Sequence, residues 1–164
     1  MKPVWIAPLL IVAAAGLLGC QAKKPDIASE TYPEDQKQLE TIVKDIFIAA
    51  KAKDLERLDS FHLHSPKFSK FEDEGVFTRR NIEEARKTEN EGFSALSEFE
   101  YEVQDFKADV FGDVAVTTFH MPYSMRMGET PIAGRVRGTL VFAKVGNGWK
   151  IVHEHFSAFP PNPA

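Results

Sequence analysis

A chain of 164 residues that is 43% hydrophobic and 27% charged, with 13 Phe, can bury one core and is too short for two ordinary domains. Its formal charge of −4 gives no electrostatic reason to seek nucleic acid. The one cysteine, Cys20, excludes an internal disulfide framework and a thiolate metal cluster.

The opening MKPVWIAPLLIVAAAGLLGC has one positive charge, an apolar run from Val4 to Leu18, and small residues before Cys20. That order predicts a signal peptide over residues 1–19, with a simple uncleaved anchor as the alternative. Leu17-Leu18-Gly19-Cys20 resembles the bacterial lipobox. The resemblance implies that Cys20 carries the lipid, palmitate among its acyl groups, and is the first mature residue. A membrane-anchored envelope lipoprotein is therefore expected, in the outer membrane of a Gram-negative cell because Gln21 follows the cysteine. Losing Lys2 with the leader takes the formal charge to −5.

Residues 20–30 read as a tether, residues 31–158 as the domain, and residues 159–164 as a Pro-rich tail that cannot continue a sheet. Thr31 and Glu34 have the spacing of a capping box, with Pro33 in the first turn. Leu39, Ile42, Val43, Ile46, Phe47 and Ala50 follow the i, i+3, i+4, i+7 rule of an amphipathic helix. Asp54 caps a short second helix carrying Leu55, Leu58 and Phe61, after which residues 67–72 are extended. Thr78 is expected to cap a third helix that stops at Gly92.

Four long antiparallel strands are expected after that helix. Phe99, Tyr101 and Val103 alternate with polar residues, but the apolar positions then become Phe106, Ala108 and Val110. A bulge near Gln104-Asp105 accounts for the change of parity. Turns follow at Phe111-Gly112-Asp113, residues 128–131 and Gly146-Asn147-Gly148, and Pro122 interrupts the strand between the first two. Three helices followed by these strands give an α+β fold, with the helices packed on a strongly curved, mostly antiparallel sheet.

That element order, with DLERLDSFHLHSPKFSKFEDEG and GNGWKIVHEHFS, resembles the nuclear transport factor 2-like superfamily. Within it, the resemblance is to SnoaL-like proteins and to the association domain of calcium/calmodulin-dependent kinases. It covers Thr31 to Ala158, and Trp149-x-x-Val152-His153-x-His155-x-Ser157 is its most specific piece. The fold implied is a cone in which a curved sheet wraps a helix around a pocket. The superfamily holds isomerases, cyclases, dehydratases and plain binding or assembly modules, so the fold leaves activity open.

His62-x-His64 and His153-x-His155 raise the question of a metal, because residues two apart on a strand share a side. No cysteine or aspartate adjoins the second pair, and no metal or other cofactor is expected. Trp149, Ile151, His153 and His155 share one face by simple alternation, and Lys150, Val152, Glu154 and Phe156 the other. The resemblance implies that Glu154 and Phe156 face the pocket, leaving the histidines for packing or a homodimer contact on the outer sheet face.

A ketosteroid-type isomerase would need a base near Glu72 and oxyanion donors near Ile46 and Leu140, which are apolar and donate nothing. The pocket arginines of the kinase domain fall at Thr118, Leu140 and Phe156. Arg135 and Arg137 lie on the neighbouring strand and read as solvated. The expected pocket is lined by Ile46, Leu140, Phe142, Val152 and Phe156, with Glu72, His120 and Glu154 as its polar groups. It would suit a small, largely apolar ligand. The first reading is thus a binding module rather than an enzyme. The alternatives are a metal-free lyase, cyclase or isomerase using His120, Glu154 or Glu72 as acid and base, and an envelope assembly protein whose pocket is filled.

Overall fold

The computed structural model describes residues 26–72 and 79–159. The leader, Cys20 and most of the tether lie outside these residues, as do Thr78, the turn at Glu74-Gly75 and the tail beyond Phe159. Among the described residues no helix is long and apolar enough to cross a membrane.

Helix α1 (Pro33–Ala52) buries Leu39, Val43, Ile46, Phe47, Ala49 and Ala50, the face its periodicity predicts. The expected capping box does not form. Tyr32 is the N-cap and makes no side-chain capping bond, its hydroxyl donating instead to Glu30 at 2.6 Å. Lys53 ends α1 in the left-handed region at φ 55°. Asp54 caps α2 (Leu55–Ser60), its carboxylate accepting from the Arg57 N–H at 3.1 Å.

Helix α3 (Ile82–Ala95) starts later than expected, because Asn81 and Glu84 form a reciprocal capping box. It also runs through Gly92, which sits in open space where the missing side chain leaves nothing unpacked.

Six strands build one sheet: β1 (Ser69–Phe71), β2 (Leu96–Tyr101), β3 (Gln104–Phe111), β4 (Val114–Met127), β5 (Thr130–Val145) and β6 (Gly148–Ala158). The order is β1-β6-β5-β4-β2, with β3 also on β4, and only β1 against β6 is parallel. The expected first long strand is β2 and β3 in succession, both paired with β4. Its bulge lies between Gln104 and Lys107, where Asp105 takes φ 50°.

Pro122 does not interrupt β4. Its carbonyl accepts from Glu102 at 3.1 Å, so its nitrogen also points toward β2 and β3, at the break between them. The missing N–H therefore costs no bond to β5.

A second bulge decides what faces inward on β6. Val141 pairs with His153 and Phe142 with Ile151, leaving Val152 over. Simple alternation fails there: Trp149, Ile151, Glu154 and Phe156 all face the concave side, while His153 and His155 face outward. Val152, expected in the pocket, is the bulged residue. The core fills the space between α1 and this concave face, with Leu39, Val43, Ile46 and Phe47 against Ala115, Phe119, Leu140, Phe142 and Ile151. Gly138 lies under the Phe119 ring, where an added Cβ would come within 2.4 Å of Cζ.

Candidate functional site

Four ionisable side chains meet at the seam between β1, β6, α3 and the α2–β1 connection. The Val152 bulge turns Glu154 inward, and parallel pairing sets Lys70 beside it. The segment before β1 is pinned along β6 by bonds of 2.9 Å from Ile151 N–H to the Phe61 carbonyl and 2.8 Å from Leu63 N–H to the Ile151 carbonyl. This places His62 over the same spot. Glu89 reaches in from α3. His62, Lys70 and Glu154 are each about 5% exposed or less, and the Glu89 side chain is 11% exposed.

His62 Nε2 lies 2.9 Å from Glu154 Oε1 and 3.8 Å from Glu89 Oε1. Lys70 Nζ pairs with Glu154 Oε2 at 2.9 Å and makes a shorter contact to Glu89 Oε1. At the rim, Glu72 joins Lys70, at 3.3 Å, to Arg80, at 2.9 Å. Two cations and two carboxylates thus balance in a nearly dry site, the condition under which buried charge is tolerated.

Titration follows from this arrangement. Burial alone would lower the His62 imidazole, but Glu154, supported by Glu89, outweighs it and raises the group from 6.5 to about 9. Burial likewise opposes the charge on Lys70, yet the same two carboxylates hold it above the usual lysine range. Glu154 resists burial because Lys70 and His62 keep it well below the usual carboxylate range. Glu89 is pushed up by burial and by the neighbouring Glu154. Of the two central acids, Glu89 is therefore the one that takes a proton first.

One ligand atom each from His62, Glu89 and Glu154 lies within 4.8 Å of the others, a set that could grip a metal ion. The Lys70 ammonium already ion-pairs with both carboxylates and supplies the cation they require. The sequence's two His-x-His pairs do not converge. His64 lies 3.2 Å from Asp59, and His153 Nδ1 shares a 2.9 Å hydrogen bond with Ser69 Oγ on the outer side.

Of the residues expected in the pocket, Ile46, Leu140 and Phe142 come together, 7%, 1% and 0% exposed, as packed core. Phe156 is half-buried, its ring 6.2 Å from Phe119 and 5.9 Å from Lys70 Nζ. Glu72 stands at the rim of the ion cluster. His120 is a correction: it lies on the outer face of β4, exposed, 3.6 Å from Asp105 and 5.5 Å from the Phe159 ring. It shares no contact with Glu154, whose histidine is His62.

His62, Lys70 and Glu89 were missed by the reading from sequence. His62 had a signal, its place in a His-x-His pair, but that spacing suggested a metal. Lys70 stands two residues after the buried Phe68, a period-2 hint that a lysine normally overrides.

From the cluster, aromatic rings continue across the concave side. Phe156 meets Phe119, Phe119 meets Phe47 at 5.6 Å, Phe47 meets Tyr101 at 5.2 Å, and Tyr101 stacks on Phe99 at 5.5 Å, with Phe93 at 5.8 Å beyond. Phe93, Phe99, Tyr101 and Phe156 are half-buried. Thr117, in register with Leu140 and fully buried, has no hydrogen-bond partner for its hydroxyl among the described residues. Two clefts lie away from the cluster. One, of about 310 Å³, runs past Glu98, Glu100, Arg126 and Ile132, and the other, of about 120 Å³, lies between residues 27–36 and β3.

A family model described as the SnoaL-like domain matches residues 39–162. The chain belongs to the SnoaL-like family. Solved structures share the fold. A candidate dehydratase of the nuclear transport factor 2-like family from Streptomyces avermitilis aligns at 19% identity and TM-score 0.72, over 80% of this chain and 100% of that one. A nuclear transport factor 2-like superfamily protein from Salmonella enterica aligns at 18% and 0.66, over 80% and 92%. A CamKII hub homology domain from Chlamydamonas reinhardtii aligns at 19% and 0.61, over 76% and 98%. No curated protein sequence matches the chain.

Proposed function

We propose that this SnoaL-like domain is held at a bacterial membrane through Cys20 and binds a small, largely apolar molecule on the concave side of its sheet. The carrying observation is the group of half-buried rings Phe93, Phe99 and Tyr101, joined through the buried Phe47 and Phe119 to half-buried Phe156 beside the charged cluster. It supports an apolar ligand that leaves its polar end toward Lys70 and Glu154. The site so read lies beside Phe99 and Tyr101 and not at the pocket expected from sequence, because Ile46, Leu140 and Phe142 are packed core. Two copies pairing through the outer sheet face, where His153 and His155 lie, complete the proposal.

Mass spectrometry of protein purified in mild detergent should find an apolar small molecule bound in stoichiometric amount. Tyr101→Ala should lose it while keeping the fold. Purified protein that carries no such molecule, and binds an apolar fluorescent probe equally well with and without Tyr101, would refute the reading.

One contact favours a second reading, proton-transfer chemistry. His62 and Glu154 stand 2.9 Å apart in a buried site, the arrangement of a general acid held by its carboxylate. A lyase or isomerase of this kind would lose turnover on His62→Gln. If that variant only weakens the fold and leaves ligand occupancy intact, the binding reading stands and the catalytic one fails.

A further inference from the structure

We infer that one end of the domain, formed by the tips of the β3–β4 and β5–β6 turns together with Ile27, is a contact surface for lipid. Phe111, Val114, Val145 and Ile27 are large apolar side chains left 41%, 44%, 46% and 49% exposed. They are neighbours. Phe111 and Ile27 line the same cleft, Val114 pairs with Ala143, and the Lys144 N–H donates to the Asp113 carbonyl at 2.9 Å, tying one turn to the other. A soluble surface rarely gathers such residues at one tip without a partner for them.

The partner is identified by where the chain begins its described course. Asp26 leads directly into Ile27 at this tip, and five residues separate it from Cys20. At 3.3–3.6 Å per residue that link spans at most about 20 Å. An acyl group on Cys20 therefore holds these apolar tips close to the bilayer whatever path the link takes. Asp113 and Glu30 at the tip disfavour a strongly anionic surface. The occupant is thus an ordinary bilayer interface, into which Phe111, Val114 and Val145 dip. Met127 ends β4 up to about 40 Å away along the strand, so that end of the sheet points away from the membrane. This inference rests on the lipid anchor proposed for Cys20.

The test uses the acylated full chain in phosphatidylcholine and phosphatidylethanolamine vesicles. Because the Cys20 sulfur is taken up by its lipid, Val114→Cys, Val145→Cys and Met127→Cys each provide a single free thiol for an environment-sensitive dye. Nitroxide on the lipid acyl chains should quench the dye several-fold at 114 and 145 and leave 127 unquenched. Phe111→Asp combined with Val145→Cys should float with the vesicles as before yet lose that quenching. Protein that floats while 114 and 145 quench no more than 127 overturns the lipid contact and leaves the anchor standing. Protein that neither floats nor carries an acyl mass on Cys20 overturns the anchor, and the lipid contact with it.

Discussion

The most direct test of the ion cluster is the pH dependence that His62 gives to folding. His62→Gln keeps a donor toward Glu154 Oε1, now 2.9 Å from the imidazole, but removes the titrating charge. In the folded chain the imidazole is raised from 6.5 to about 9, after the burial penalty is overcome by Glu154 and Glu89. At about 1.4 kcal/mol for each pH unit, that rise is worth about 3 kcal/mol. Because the folded value lies above the unfolded one, the contribution is complete below pH 6.5. It falls as pH rises toward 9 and is gone beyond it. Urea unfolding should therefore show the wild type losing about 3 kcal/mol more than His62→Gln between pH 6 and pH 10. A difference between the two proteins that stays flat over this range would refute the assignment of a charged, carboxylate-held His62.

Lys70→Met leaves Glu154 and Glu89 facing each other without their shared cation, and should cost about 3–5 kcal/mol at neutral pH in the same urea assay. Gly138→Ala sets a Cβ 2.4 Å from the Phe119 ring and should cost about 1–3 kcal/mol, with most of the loss recovered by adding Phe119→Leu. Asn81→Ala removes the capping box of α3 and should cost about 1 kcal/mol, with faster amide exchange in the first turn of that helix. Thr31→Ala should cost almost nothing, because the chain makes no cap at that residue.

The fold was legible where side chains repeat with the period of their element. Leu39, Val43, Ile46, Phe47 and Ala50 mark the buried stripe of α1, and the slip from Val103 to Phe106 marks the bulge at Gln104. The bulge at Val152 left no such mark. Its inward residues are Trp149, Ile151, Glu154 and Phe156, and a glutamate in that series hides the slip that a leucine would have revealed. The site was partly legible for the same reason. Glu154 and Phe156 could be placed inward from the family resemblance. The partners of Glu154 arrive from a helix–strand junction, a three-residue strand and a helix face that local pattern does not connect. His120 was misplaced because both neighbours in the chain, Phe119 and Met121, take the buried side.

The cluster is also what fixes the register of β1. That strand has three residues, pairs in parallel with β6, and has no tight turn to hold it in place. A slip by one residue would turn Ser69 or Phe71 toward Glu154 and carry Lys70 to the outer face, leaving two buried carboxylates with His62 as their one remaining cation. The penalty for that error is several kcal/mol, whereas the net gain from the correct pairing is small, since burying charges costs nearly as much as their attraction returns. Glu89 extends the same selectivity to α3. That helix buries Ala85 and sets Ile82 and Phe93 only partly against the core, so apolar packing alone leaves its angle to the sheet weakly determined. The contact from Glu89 to Lys70 sets it. An ion cluster at this seam thus acts by excluding wrong arrangements more than by adding stability.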